Sequence, residues 1–171
     1  MRRVFLTILV VLLVAPTVRS ESTQINYLTT EIGLGTWQYT YTVSNIDLAM
    51  PIEEFTIYFD YDLYKDLAVV EPSPDGWDAI VWQPEPGLGG GAYDALTVTM
   101  GAGINAGESI GGFSVSFDWF GTGNPATQYY EIVNPSDFTV MDSGYTVPEP
   151  TTMILLGFGG LLLRRRLKSC N

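Results

Sequence analysis

Apolar and polar residues alternate with a period of two along several stretches of the chain. Trp37, Tyr39, Tyr41 and Val43 share one face, against Thr36, Gln38, Thr40, Thr42 and Ser44 on the other. Phe55, Ile57, Phe59 and Tyr61 repeat this against Thr56, Tyr58 and Asp60. Phe113, Val115, Phe117 and Trp119 do so again, with Ser114, Ser116 and Asp118 outward. Successive side chains of a strand point to opposite faces, so this period predicts half-buried strands. Less regular candidates are Leu67–Val70, Ala79–Trp82, Leu96–Met100, Tyr129–Val133 and Phe138–Met141. Turn-forming clusters separate them: Pro72 to Gly76, Gly87 to Gly91, Gly101 to Gly107 and Gly121 to Pro125. No stretch of this region sustains a helical period. Eight or so short strands with regular turns predict an all-β fold, an antiparallel β-sandwich of immunoglobulin-like or jelly-roll type.

Both ends break the alternation. Met1-Arg2-Arg3 precedes an apolar run, Val4 to Val14, interrupted only by Thr7 and closed by Ala15 and Pro16. A basic start, a short apolar stretch and small residues at a cleavage site define a secretory signal peptide. Val18 and Ser20 fit the −3 and −1 positions, so signal peptidase is expected to cut between Ser20 and Glu21. At about 1.5 Å per residue the run covers roughly half of a ~30 Å bilayer core, which argues against a permanent anchor. The other end reads Val147-Pro148-Glu149-Pro150-Thr151-Thr152, then the apolar stretch Met153 to Leu163, then Arg164-Arg165-Arg166. The two prolines cannot continue a helix and keep the preceding chain extended, an accessible strand-like peptide for a protease. The three arginines hold their end in the cytoplasm. Together with the signal peptide, they place the middle of the chain outside the inner membrane.

The order of Pro148-Glu149-Pro150, a short glycine-interrupted apolar stretch and a terminal arginine cluster resembles the PEP-CTERM sorting signal. The resemblance is confined to roughly the last 25 residues. It implies an exosortase-type sorting enzyme as partner, a membrane transpeptidase of exopolysaccharide-producing bacteria that cuts near the motif and passes the protein onward. The domain organisation expected is a signal peptide over 1–20, an extracytoplasmic β-sandwich over 21–146 and a sorting segment over 147–171. Within that segment a hydrophobic helix over about 151–163 precedes a basic tail over 164–171. The apolar stretch is short for a stable span and suits an anchor meant to be removed. The expected route is export, transient anchoring in the inner membrane, then the cell surface or extracellular matrix.

Charge narrows the chemistry further. Between Glu21 and Val147 stand eighteen acidic residues and a single base, Lys65. Such a surface repels phosphate backbones, because nucleic-acid binding rests on Lys and Arg displacing counterions; no nucleic-acid partner is expected. The sequence has no histidine, and its one cysteine, Cys170, lies past the last apolar run. The exported segment therefore lacks the usual ligands for zinc or copper and the imidazole of most hydrolytic triads. No catalytic residue is assigned and the protein is expected not to be an enzyme. Paired carboxylates could run glycoside hydrolysis, but nothing in the sequence selects a pair.

Two constellations remain. Asp60, Asp62 and Asp66, with Glu53 and Glu54 upstream, form the densest carboxylate group and the one candidate for a bound cofactor, calcium. Their spacing is not that of an EF-hand loop, and the other reading is a solvated acidic edge that discourages strand pairing. Trp77, Trp82 and Tyr93 flank the Pro- and Gly-rich stretch from Pro72 to Gly91. They either stack on sugar rings or fill the core. Gly87 to Gly91 has no following Lys-Ser/Thr, which rejects a phosphate loop and leaves a flexible one. The expected function is an exported, non-enzymatic surface or matrix protein within an exopolysaccharide layer. The alternatives are a module binding carbohydrate, or ice through Thr36, Thr40 and Thr42, and a glycan-acting hydrolase.

Overall fold

A computed structural model of the protein describes residues 21–87 and 89–149. The signal peptide expected over 1–20 lies outside the described residues, as do Pro150, the apolar stretch and the basic tail with Arg164, Arg165 and Arg166. Among the described residues no helix is long and apolar enough to cross a membrane.

The described chain forms ten strands: β1 (Thr23–Glu31), β2 (Thr36–Asn45), β3 (Glu54–Phe59), β4 (Tyr64–Val69), β5 (Trp77–Trp82), β6 (Gly91–Thr97), β7 (Ser109–Trp119), β8 (Tyr129–Val133), β9 (Val140–Tyr145) and β10 (Val147–Pro148). They make two five-stranded sheets, ordered β10-β1-β2-β7-β4 and β5-β6-β3-β8-β9. Neighbours pair antiparallel, except that β10 runs parallel to β1. The two sheets close into the all-β sandwich that the alternation predicts.

The inward positions are those the period selects. Tyr39, Tyr41 and Val43 of β2, Phe113, Val115 and Phe117 of β7, and Phe55, Ile57 and Phe59 of β3 are buried in one core cluster. Fully burying a side chain of this size contributes roughly 1.5–3 kcal/mol, so the core supplies the sandwich's main driving force. Aromatic pairs bridge the two sheets: Phe55 and Trp77 each meet Phe113 edge-on, at 4.9 and 5.0 Å, and Phe59 meets Tyr64 at 5.1 Å.

The strand boundaries depart from expectation at identifiable places. β3 ends at Phe59, before Tyr61, because Asp60 turns the chain: its carboxylate accepts from the Asp62 N–H at 2.8 Å and its carbonyl from the Tyr64 N–H at 3.1 Å. β6 starts at Gly91, within the stretch read as a flexible loop, and stops before Met100. A Cβ on Gly91 would stand 2.7 Å from both Leu67 Cδ1 and Pro84 Cγ, so only glycine lets the strand enter there. β9 begins at Val140 because Phe138 sits at φ 58° in the preceding turn. β1 was not expected at all. It buries Thr23 alongside Ile25 and Tyr27 and leaves Leu28 outward, so its apolar alternation is short.

Candidate functional site

The outer face of the second sheet is ordered in rows set by strand register. Trp82 pairs with Ala92, which in turn pairs with Tyr58. Tyr58 stacks on Tyr129 with ring centroids 5.8 Å apart, and Tyr129 meets Tyr145 at 5.6 Å. An aromatic row thus crosses all five strands, about 19 Å at ~4.8 Å per strand. The next row runs Ile80, Asp94, Thr56, Glu131 and Ser143. It is rich in hydrogen-bonding groups.

Ala92 interrupts the row between Trp82 and Tyr58, and the missing bulk opens a groove of about 690 Å³. Trp82 and Tyr58 stand as its walls, 60% and 40% exposed. Glu54, Thr56, Asp94 and Glu85 supply its polar lining. Backbone approaches closely at one end, since a Cβ on Gly90 would collide with the Phe59 carbonyl oxygen. The Trp82 wall is braced by its neighbour. Gln83 accepts from the Leu67 N–H at 2.9 Å and donates to the Leu67 carbonyl at 2.6 Å, tying the end of β5 to β4 of the other sheet.

The polar groups fix the rings in place. Glu131 accepts from the Tyr58 hydroxyl at 2.8 Å and from the Tyr129 hydroxyl at 3.0 Å, one through each carboxylate oxygen. Partial burial, then this hydrogen bond and the charge of Glu131, push the Tyr58 hydroxyl pKa up to about 12. Thr56 donates to Asp94 at 2.7 Å. Partial burial, and secondarily the Asp94 charge, raise the Glu54 carboxyl above its usual range. The result is a trough with apolar ring faces as walls and carboxylates on its floor, suited to a ligand offering both C–H faces and hydrogen-bond donors.

Only part of the expected aromatic site belongs here. Trp82 does, but Trp77 and Tyr93 point inward and are buried. The strand period explains this: Trp77 starts the inward set of β5, and Tyr93 follows Gly91 in that of β6. Trp77 packs against Phe55 and Phe113, and Tyr93 against Phe55 and Tyr41, so neither can offer a ring face to a sugar. Tyr58, Tyr129, Tyr145 and Glu131 were not singled out from the sequence. Tyr58 had a readable signal, an aromatic side chain on the polar face of a regular alternation.

The expected calcium ligands do not assemble. Asp60, Asp62 and Asp66 are exposed, and no group of three His, Cys, Asp or Glu among the described residues could hold a metal ion. Asp60 is engaged by the turn it caps. Asp66 sits at φ 51° where the register of β4 shifts against β7, a bulge that separates it from the other two.

The C-terminal side is more constrained than an accessible peptide. Thr146 is buried, 1% exposed, and exchanges two hydrogen bonds with Gln128 across the sandwich edge: its N–H donates to the Gln128 carbonyl at 2.8 Å, and its hydroxyl accepts from the Gln128 N–H at 2.9 Å. Val147 and Pro148 then pair with Asn26 and Tyr27, and the Glu149 N–H donates to the Tyr27 carbonyl at 2.9 Å. The extended conformation expected around Pro148 is present, but it is paired to β1 instead of free.

The PEP-CTERM protein-sorting motif family matches residues 146–166. This segment is a PEP-CTERM sorting motif. Its presence implies an exported protein sorted by an exosortase. Pro148, Glu149, Pro150 and the three arginines all fall inside the match, which begins within the sandwich at Thr146 and takes in β10. Ser20 falls outside the described residues, and Glu21 is the exposed first described residue, two positions before β1. No curated protein matches the sequence. Among solved structures the chain is similar to a cohesin module from a Clostridium perfringens family 33 glycoside hydrolase, at 8% identity and a TM-score of 0.43, covering 75% of this chain and 98% of that one. It is also similar to a GH20 exo-β-N-acetylglucosaminidase from Vibrio harveyi, at 12% identity and a TM-score of 0.35, covering 75% of this chain and 18% of that one. None of these likenesses bears on what the chain binds.

Proposed function

We propose that the protein is a non-enzymatic component of the cell surface or extracellular matrix of an exopolysaccharide-producing bacterium. A signal peptidase removes residues 1–20, the sorting segment holds the protein briefly in the inner membrane, and an exosortase-type enzyme releases or transfers it. The sorting motif carries this reading, because it addresses an otherwise acidic, soluble-faced sandwich to the outside. Expression with and without Pro148-Glu149-Pro150 in an exosortase-positive host tests it. The expected result is that the deletion leaves a heavier, membrane-associated form; identical mass and location in both would refute the reading.

The aromatic row favours a more specific role, binding a polysaccharide chain along the outer face of the second sheet. Sugar rings present C–H faces that stack on aromatic rings, and hydroxyls that donate to carboxylates. The row is several sugar residues long and open at both ends, which fits a polymer better than a small molecule. Ice binding has less support: on the opposite sheet Thr36 donates to Asp118 and Thr40 accepts from Ser114, so those hydroxyls are engaged within the sheet. A glycan array probed with the exported domain tests the binding role. Retention of at least one polysaccharide is expected, and no binding to any would refute it. Shortening of a bound glycan over time would instead support the hydrolase alternative.

A further inference from the structure

The sorting motif begins inside the folded domain. Its first matched residue, Thr146, is among the buried polar residues of the sandwich. Its next residues form β10, which covers the outer edge of β1. Even the central residue of Pro-Glu-Pro is engaged, since the Glu149 N–H is bonded to Tyr27. From Thr146 to Glu149 the extended chain spans about 10 Å, so an enzyme gripping Pro148-Glu149-Pro150 in place would meet the body of the sandwich.

We propose that the edge of β1 is a docking site for the chain's own Val147–Glu149, and that the sorting enzyme reads the motif only after this strand has left it. The inference rests on the sorting reading above. Enzymes that act on extended peptides pair with the substrate backbone, and one N–H cannot serve Tyr27 and an enzyme cleft together. The docked strand is built to open. It is two residues long, parallel, and contains Pro148, which has no N–H to give the ladder. Short elements with few backbone hydrogen bonds sit at the low-stability end of a fold and open without global unfolding. Thr146, in contrast, is firmly held. It sets the hinge from which the motif swings out, and it makes presentation of the motif depend on a folded sandwich. The strand also protects the β1 edge from pairing with other chains until the protein is sorted.

The full-length chain carrying Asn26→Cys and Val147→Cys, with Cys170→Ser to remove the competing thiol, tests this. Paired strands stand about 4.8 Å apart, within the Cα range of a disulfide. Expressed in an exosortase-positive host, the oxidised double variant should be processed at least tenfold more slowly than either single-cysteine variant, and reductant should restore the rate. Thr146→Ala, which loosens the hinge, should be processed faster than wild type. Processing of the cross-linked form at the normal rate overturns the proposal. So does failure of the two cysteines to link while both single variants fold. If the wild-type chain is not processed at all, the sorting reading fails, and amide hydrogen exchange still decides docking: protection of the Glu149 N–H supports it, and exchange at the rate of a free peptide overturns it.

Discussion

Gln128 and Thr146 hold each other at the point where the domain meets its address, through reciprocal backbone and side-chain bonds of 2.8 and 2.9 Å. The Gln128 side chain extends the contact into the core. Its amide nitrogen donates to the Tyr39 hydroxyl at 2.6 Å and the Tyr64 hydroxyl at 3.0 Å. Its amide oxygen accepts from the Tyr41 and Thr146 hydroxyls at 3.3 and 3.2 Å. A buried amide with four such partners is costly to delete, because each hydroxyl left unpaired keeps its desolvation penalty. Gln128→Leu is therefore expected to destabilise the sandwich by roughly 2–4 kcal/mol. Chemical denaturation followed by tryptophan fluorescence measures this, and an unchanged midpoint would show that the network contributes little.

Two buried tyrosines should respond oppositely to loss of their hydroxyls. Tyr39 donates to the Ala126 carbonyl at 2.7 Å and accepts from Gln128, whereas the Tyr93 hydroxyl makes no hydrogen bond of ordinary geometry among the described residues and has only a weak approach to the Ser114 backbone. Burial raises the pKa of both hydroxyls, so both stay neutral at physiological pH. Tyr39→Phe is expected to cost about 1 kcal/mol, and Tyr93→Phe to stabilise by a comparable ~1 kcal/mol, since an unsatisfied buried hydroxyl is removed at constant ring packing. Thermal melts of the two variants should shift in opposite directions.

Much of this fold could be read from the chain and much of the site could not, for a shared reason. Period two identifies strands whose inner face is strongly apolar, as in β2, β3 and β7. It fails for β1, where Thr23 takes a buried position and Leu28 an exposed one. It also separates inner from outer residues only within one strand. Trp77, Trp82 and Tyr93 are close in sequence, and proximity suggested a common site, but Trp82 stands on the opposite face from the other two. The aromatic row joins residues from Tyr58 to Tyr145, and no local pattern specifies the register that aligns them. The calcium reading failed similarly, since neither a carboxylate-capped turn nor a bulge can be seen in spacing alone. The sorting motif was legible because it is contiguous. That it is also a strand of the domain depended on β1, the strand the alternation missed.

The aromatic row predicts a separation of binding from stability. Trp82→Ala and Tyr58→Ala remove exposed rings, so each should weaken polysaccharide binding about tenfold, near 1.4 kcal/mol, with little change in melting temperature. Trp77→Ala removes a buried ring, at a cost of roughly 3–5 kcal/mol. It should lower the melting temperature sharply while sparing affinity in whatever fraction stays folded. Affinity electrophoresis in polysaccharide-containing gels, run beside thermal melts, distinguishes the two classes. Equal binding losses in all three variants would mean that the row is not the binding surface.

Glu54 gives the groove a pH signature. Burial first, and the neighbouring Asp94 charge second, raise its folded pKa above the ordinary 4.5. The folded state therefore binds this proton more tightly than the unfolded chain does. The stabilising contribution is fully present below 4.5 and is lost as pH rises through the folded value. Glu54→Gln carries no charge to desolvate and keeps its contribution at every pH. The variant should match wild type below pH 4.5 and become more stable above it, with the gap levelling off once Glu54 is fully ionised. Because the carboxyl is only partly buried, the plateau should be small. Denaturation midpoints of both proteins between acidic and neutral pH measure the gap. A gap that widened toward acid would mean that Glu54 is instead stabilised as the anion.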